Sequence, residues 1–304
     1  MTEAELDQVV GQVRTLVETH YVFPEAAADI ARQIADSHAQ GRYPADPSAL
    51  ADAVTADLQS VNGDKHLRLV FHETELAEQP PGDDSQEYAA MAHWADQTGG
   101  GIACVQRLDG NVGYLDLSPV LFPAAISGAS VTAAMSLLAG TDALLVDLRG
   151  CLGGEPGMVT LIISYLWDDE PVQLTGLRER AADQTRQSWT LPYVAGRRFG
   201  KAKPVYVLTG PTTFSGGEQL AYDLQQLGRA TIVGERTRGG ANAREAFRVH
   251  PHLEATISVA AAVSPVTGTN WEGTGVAPDV ETSAEQARDV AHEAALQALQ
   301  ALTS

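Results

Sequence analysis

The stretch Val205-Tyr-Val-Leu-Thr-Gly-Pro-Thr-Thr-Phe-Ser-Gly-Gly-Glu218 decides how this chain is interpreted, because an apolar strand gives way within a few residues to a helix. The helix continues through Gln219-Leu-Ala-Tyr-Asp-Leu-Gln225. Ser215 lies at the junction, where the unpaired N–H groups of a helix start attract negative charge. Two interpretations are open from this segment alone. Ser215 caps the helix, or it is a nucleophile with half of an oxyanion hole behind it.

The composition limits the partners and the class of protein. The 304 residues, 44% of them hydrophobic, predict one large domain and a smaller one. The 39 acidic and 20 basic residues give a net charge of −19, which argues against nucleic acid or an anionic membrane as a partner. The longest apolar runs are too short for a membrane span. Cys104 and Cys151 lack metal-ligand spacing and are expected to be reduced thiols.

The pattern along the chain predicts an N-terminal helical bundle over residues 1–61 and an α/β domain over residues 62–304. Apolar residues recur at helical spacing up to Leu58, and strand-like alternation begins after Asn62. Strands and helices then alternate, which indicates crossover units and a mixed sheet with covering helices. Residues 246–263 are expected to form a hairpin, and the polar span 78–96 is a candidate linker or flap.

A second glycine-rich segment follows the apolar strand Ala143–Leu148. It reads Asp147-Leu-Arg-Gly-Cys-Leu-Gly-Gly154. Sites in sheets of this kind collect beyond the carboxyl ends of the strands. Gly153 and Gly154 are therefore either a plain tight turn or a place where backbone N–H groups approach a ligand closely.

Four segments together carry a resemblance to a known family. Besides the Asp147–Gly154 and Thr213–Glu218 segments, these are Gly234-Glu-Arg-Thr-Arg-Gly-Gly240 and Asn270-Trp-Glu-Gly-Thr-Gly-Val-Ala-Pro-Asp279. In this order they resemble the S41 peptidases, which include the C-terminal processing (tail-specific) proteases, the tricorn protease core and the retinoid-binding repeats of interphotoreceptor retinoid-binding protein. The resemblance implies a crotonase/ClpP-like α/β core and a serine hydrolase that needs no cofactor and no metal.

The resemblance also implies which general base serves Ser215. The processing proteases carry a lysine where this chain has Gly240, so a serine–lysine pair is excluded at that place. The tricorn-like branch uses a histidine from an earlier segment, and His66 matches its place. A histidine can take a proton from Ser215 and return it to the leaving group near neutral pH.

The remaining site residues follow from the same match. Glu272 corresponds to a glutamate that orients or stabilises the imidazolium. Where the tricorn pattern has a serine before its histidine, this chain has Lys65, and Asp64 is a possible orienting substitute. The oxyanion hole is predicted from the amide of Gly216 and one amide from the Gly153-Gly154 pair. Glu218, in the first helical turn, is expected to complement the helix dipole.

The expected substrate is a short peptide or a small amide or ester, because too few residues separate His66 from Val112 to hold the PDZ domain of the processing proteases. Two alternatives stay open, an apolar-ligand carrier and an acyl transferase or cyclase in small-molecule biosynthesis. His250 and His252 flank Pro251, and no third ligand is evident for a metal. The N-terminus lacks the features of a signal peptide, so a cytoplasmic location is predicted, and an oligomer is compatible with the sequence.

Overall fold

The secondary structure comes from a computed structural model that describes residues 1–77 and 85–303. The helices are α1 (Glu3–His20), α2 (Pro24–Ala39), α3 (Pro47–Gln59), α4 (Ser85–Gln97), α5 (Ala124–Leu138), α6 (Pro156–Tyr165), α7 (Gly216–Gln226) and α8 (Ala287–Thr303). The strands are β1 (Arg68–Phe71), β2 (Ile102–Leu108), β3 (Val112–Leu117), β4 (Ala143–Asp147), β5 (Gln173–Glu179), β6 (Gln184–Trp189), β7 (Val205–Thr209), β8 (Thr231–Gly234), β9 (Ala243–His250), β10 (Leu253–Val263) and β11 (Val280–Glu281).

The chain divides into two compact units. The first comprises Met1–Asp83, Gly176–Arg186 and Asn242–Val263, and the second comprises Asp84–Thr175, Gln187–Ala241 and Ser264–Ser304. The sequence pattern separates a helical segment at residue 61. In the structure the three N-terminal helices share their unit with strands, because the apolar faces of the helices are buried against β1, β9 and β10.

The first unit has one core, built by the three helices and an antiparallel sheet. Helix α1 begins with a capping box, in which the Glu5 amide donates to Thr2 Oγ1 and the Thr2 amide to Glu5 Oε2. Strand β10 pairs antiparallel with β1, β5 and β9. The core side chains include Val13, Val17, Ile30, Ile34, Leu50, Val54, Leu58, Leu67 and Ile257.

The second unit is built on a six-stranded sheet of order β11-β8-β7-β4-β3-β2. The pairs from β3 to β11 are parallel, and β2 is antiparallel at the edge. Strands β4 and β7 are buried along their whole length, as their continuous apolar sequences require for central parallel strands. Since Asp147 pairs with Leu208, the loops after β4 and β7 leave the sheet at the same edge.

The mixed sheet with covering helices is confirmed, and so is the 246–263 hairpin, which forms β9 and β10 around Pro251 and His252. Part of the expected linker is a helix, since α4 occupies residues 85–97; residues 78–84 lie outside the described residues. The β5–β6 hairpin had no clear signal in the sequence. Strand β6 is almost wholly exposed and polar, so it lacks the alternation that marks a half-buried strand.

No helix within the described part of the chain is long and apolar enough to cross a bilayer. Both cysteine thiols are free; Cys151 is buried and Cys104 is partly buried. Burial raises the pKa of the Cys151 thiol to about 12.

Candidate active site

Ser215 occupies a sharp turn between β7 and α7. It precedes the first helical residue and has φ 49° and ψ −117°, a backbone conformation that side-chain-bearing residues rarely adopt. Such a conformation costs on the order of 1–3 kcal/mol and persists only where the surroundings hold it. The side chain is half-buried, so the turn presents Oγ at the carboxyl edge of the sheet.

The two glycine-rich segments meet at this serine. A Cβ on Gly153 would lie 2.9 Å from Ser215 Cβ and 3.5 Å from Oγ, and Gly153 has φ 125°. A Cβ on Gly216 would lie 2.5 Å from the carbonyl oxygen of Gly154. The Gly153-Gly154 pair is therefore a close approach of backbone to the serine and not a plain turn.

Three backbone N–H groups beside Ser215 have no hydrogen-bond acceptor among the described residues. Gly153 uses its carbonyl to accept from the Leu121 amide at 2.8 Å. Among the described residues, the amides of Gly153, Gly154 and Gly216 donate no hydrogen bond within the protein. Unpaired N–H groups at a helix start are the donors that an oxyanion hole requires.

Glu218 departs from the simple dipole role expected of it. It is fully buried, and its two oxygens accept four hydrogen bonds. Oε2 accepts from the amides of Ser215 (2.9 Å) and Gly240 (2.8 Å), and Oε1 from the amide of Gly239 (2.6 Å) and from Thr237 Oγ1 (2.5 Å). Burial raises the pKa of this carboxyl, and these hydrogen bonds oppose the rise. The Glu218 carboxylate thus holds the strained Ser215 by the backbone N–H of the serine.

Gly240 and Ala241 connect this network to Glu272. The Ala241 amide donates to Glu272 Oε2 at 2.6 Å, and the Gly240 carbonyl accepts from Trp271 Nε1 at 3.0 Å. Two carboxylates therefore hold two consecutive amides, Glu218 that of Gly240 and Glu272 that of Ala241. The position where the processing proteases carry a lysine serves here as backbone support.

The Asp147–Gly154 segment also fixes the loop that carries Ser215. Thr213 Oγ1 donates to the Leu148 carbonyl at 2.8 Å, and the Phe214 amide donates to the Cys151 carbonyl at 3.1 Å. At its start, Arg149 Nε donates to Asp147 Oδ1 at 2.9 Å. The aspartate and arginine of this motif are thus paired with each other, which the sequence alone did not indicate.

His66 and Asp64 lie in the first unit, whereas Ser215, the three glycines and Glu272 lie in the second. His66 is 5% exposed, and its amide donates to Asp64 Oδ1 at 2.9 Å. Its Nδ1 lies 4.0 Å from the same oxygen, and its carbonyl accepts from Thr256 Oγ1 at 2.5 Å. The expected substitute for the missing serine is thus a buried carboxylate beside the histidine. The pairing of His66 with Ser215 stays a prediction.

His250 and His252 lie at the β9–β10 turn, as expected. His250 Nδ1 accepts from the His252 amide at 3.1 Å, and His252 Nδ1 lies 3.0 Å from the His72 carbonyl oxygen. One nitrogen of each ring is therefore engaged in the turn. Burial lowers the pKa of His250.

Comparison with known proteins identifies the family. The model of peptidase family S41 matches residues 111–282, more than half of the chain, and the model described as the N-terminal domain of Peptidase_S41 in eukaryotic IRBP matches residues 2–99. The first match spans all four sequence motifs, and the second covers the N-terminal helices.

Solved structures share the fold at low sequence identity. The photosystem II D1 C-terminal processing protease is 16% identical (TM-score 0.55, covering 94% of each chain), and mature CPAF is 14% identical (TM-score 0.62, 97% of this chain and 96% of that one). The tricorn protease is 14% identical (TM-score 0.63), covering 98% of this chain and 37% of its own. Because the family model matches more than half of the chain, the chain belongs to peptidase family S41 and is a serine-type peptidase.

Proposed function

We propose that this peptidase cleaves short peptides or small amide and ester substrates through an acyl-enzyme on Ser215, with His66 as general base. The observation that carries the proposal is the strained backbone of Ser215, which packs against Gly153 and is followed by a Gly216 amide that donates no hydrogen bond among the described residues. Ser215 forms a capping box with Glu218, but capping alone has no need of positive φ, because cap residues usually adopt extended backbone. Strain of this kind collects at functional sites.

The reaction follows from the groups present. Ser215 Oγ attacks the substrate carbonyl carbon while His66 takes the hydroxyl proton. The amide of Gly216, with that of Gly153 or Gly154, stabilises the negative oxygen that forms. His66 then gives this proton to the leaving amine or alcohol. Water next attacks the acyl-enzyme while His66 takes a proton from it, and the carboxylic acid is released as His66 returns that proton to Ser215 Oγ.

Glu272 and Asp64 support the histidine in this scheme. A carboxylate near an imidazole stabilises the imidazolium form that exists while the proton is held. Asp64 lies within 4.0 Å of His66 Nδ1 and so supports such a role by its position. For Glu272 the support is the family match and its fixed contact to the Ala241 amide.

A lysine base finds no support here. Gly240 offers no side chain at the lysine position, and its amide is engaged by Glu218. Lys203 donates to the carbonyls of Ala139 and Thr141, each at 2.8 Å, which fixes its amine at the end of α5. This is a structural role.

The segment between β1 and β3 supports the proposal of short substrates. The described residues of that interval form α4, β2 and a 3-10 turn at Asp109–Asn111. These short elements do not build a PDZ domain, so we assign substrate selection to the residues around Ser215 or to the N-terminal helices.

The test is the Ser215→Ala variant. We expect turnover of peptide or ester substrates to fall by at least about 10³-fold, because the nucleophile is lost while amides and binding remain. Labelling by a fluorophosphonate should disappear while the thermal unfolding transition stays in place. His66→Ala should lower turnover and labelling as well.

Two results would contradict the proposal. Ser215→Ala protein that still turns over substrate would exclude Ser215 as the nucleophile. Wild-type protein that shows no labelling, and that co-purifies with an apolar ligand, would favour the carrier function instead.

A further inference from the structure

Asp64 is a buried carboxylate whose donors come from three separate segments of the first unit. It is 1% exposed. Oδ2 accepts from Tyr21 Oη at 3.2 Å and from Asn242 Nδ2 at 2.9 Å, while Oδ1 accepts from the His66 amide at 2.9 Å. Tyr21 follows α1, Asn242 precedes β9, and Asp64 and His66 precede β1. One carboxylate therefore joins the helical segment, the hairpin and the histidine loop.

The direction of the tyrosine hydrogen bond is fixed by its other partner. Asn62 Nδ2 donates to Tyr21 Oη at 2.6 Å, so the phenol oxygen acts as acceptor there and its own proton is left for Asp64. The tyrosine is fully buried, and its carbonyl accepts from Arg180 Nη1 at 2.6 Å. Arg180 Nη2 also donates to the Glu18 carbonyl, which fixes the end of α1. The phenol is thus held at both its ring and its backbone.

We propose that Tyr21 is a positioning residue for the general base. Its hydroxyl, together with the Asn242 amide, holds the Asp64 carboxylate in the orientation that fixes His66. The inference rests on the proposed function, in which His66 takes the proton from Ser215. It gives the helical segment a part in the chemistry, since the residue that ends α1 sets the surroundings of the base.

A carboxylate that loses a donor is less well satisfied and less well oriented. A hydrogen bond to a charged group is among the stronger ones in a protein, and a small displacement of a catalytic group lowers the rate. The remaining negative charge also favours the imidazolium form of a neighbouring histidine more strongly. Loss of the Tyr21 hydroxyl should therefore affect the chemical step and its pH dependence more than substrate binding.

The chain offers a matched control. Tyr43 is also buried, its Oη donates to Asp57 Oδ2 at 2.8 Å, and an amide, Gln33 Nε2, donates to the other oxygen of Asp57 at 2.9 Å. This second tyrosine–carboxylate–amide group lies in the same unit and has no hydrogen bond to His66 among those of the described residues. Tyr43→Phe removes the same kind of hydrogen bond without touching the proposed site.

The experiment compares Tyr21→Phe with Tyr43→Phe in the full chain, using a chromogenic ester or peptide substrate. For Tyr21→Phe we expect kcat to fall about tenfold with KM within about twofold of wild type. The rate of fluorophosphonate labelling should fall in parallel, and the acidic limb of the kcat/KM profile should move to higher pH. Tyr43→Phe should lower thermal stability comparably and leave kcat and the pH profile unchanged.

A double-mutant cycle with Asp64→Asn gives the second measurement. If Tyr21 acts through Asp64, the Tyr21→Phe change should have little further effect on kcat in the Asp64→Asn background. Full additivity would overturn the inference, and so would a Tyr21→Phe enzyme with the kcat and pH profile of Tyr43→Phe. If the wild-type enzyme is labelled and Ser215→Ala is inactive, either of these results refutes the positioning role of Tyr21 and leaves the proposed function standing. Activity retained in His66→Ala would instead refute the proposed base.

Discussion

Ser215 and His66 lie in different units, yet each has its own backbone N–H held by a buried carboxylate. Glu218 follows Ser215 by three residues and accepts a hydrogen bond from the Ser215 amide at 2.9 Å. Asp64 precedes His66 by two residues and accepts a hydrogen bond from the His66 amide at 2.9 Å. The difference lies in the other donors. The other donors to Glu218 include the amides of Gly239 and Gly240, in the loop where the processing proteases carry their lysine. The other donors to Asp64 are the side chains of Tyr21 and Asn242.

This difference shows two ways of supporting a site. Around Ser215 the support is mostly backbone, with glycines where side chains would collide and amides as donors. Around His66 the support is mostly side chain, and so can be changed one functional group at a time. We therefore expect substitutions in the Ser215 region to have the larger effects, since backbone cannot adjust as a side chain can.

Gly153→Ala should give the largest effect. The new Cβ would lie 2.9 Å from Ser215 Cβ, at a φ of 125° that alanine tolerates poorly. Displacement of the serine and of one oxyanion donor should lower kcat by about 10³-fold, measured by steady-state kinetics. The control is Gly157→Ala in the first turn of α6, where a Cβ meets nothing within 4 Å; its activity should stay within about twofold of wild type. A Gly153→Ala enzyme with normal kcat would contradict the expectation that the backbone around Ser215 does not tolerate substitution.

Glu218→Gln should have a smaller effect, because the remaining oxygen keeps two of the four hydrogen bonds and no backbone clash is introduced. One carboxylate oxygen becomes an NH₂ group that faces two donors, so two of the four hydrogen bonds are lost. We expect kcat to fall about 100-fold, with KM changed much less, as the serine loses its fixed geometry. Stopped-flow acylation by an activated ester measures this step directly. If acylation is normal and only thermal stability falls, Glu218 supports the fold and not the nucleophile.

The sequence predicted the parts of the fold that have a strong local pattern. The apolar runs of β4 and β7 and the helical spacing of α1 to α3 each specify one kind of element. Strand β6 escaped prediction because its residues are polar and exposed, and its pairing depends on a neighbour and not on its own pattern. Helix α4 was hidden in the polar 78–96 span for a similar reason.

At the candidate site, the sequence supplied residues and the structure supplied their contacts. Ser215 and Gly153 were recognisable from glycine-rich junctions after apolar strands, and the structure brings them together. Tyr21 carried no signal, because a buried tyrosine after a helix is ordinarily a core residue. The burial of Glu218 was also unpredictable, since a glutamate in a first helical turn usually faces solvent, whereas here the distant Gly239 and Gly240 donate to its carboxylate.

Asp223 tests whether any buried carboxylate in α7 would serve as Glu218 does. It lies two turns beyond Ser215 and is 2% exposed, and its Oδ1 accepts from the amide and hydroxyl of Thr175 at 3.0 and 2.6 Å. Burial raises the pKa of this carboxyl to about 6, although the hydrogen bonds from Thr175 and Gln219 oppose the rise. It has no contact with the Ser215 turn among the hydrogen bonds of the described residues.

The raised pKa has a definite sign for stability. Between about pH 4 and pH 6 the folded protein holds the Asp223 proton more tightly than the unfolded chain, so stability from this group is present at low pH and is lost as pH rises through about 6. Asp223→Asn should remove that decline, which amounts to about 2 kcal/mol in the free energy of unfolding. Urea denaturation of both proteins from pH 4 to pH 7 measures it, and kcat should stay within about twofold. Parallel stability curves would show that Asp223 titrates normally, and a kcat loss like that of Glu218→Gln would show that the carboxylates of α7 act as one group and that the hold on Ser215 is not specific to Glu218.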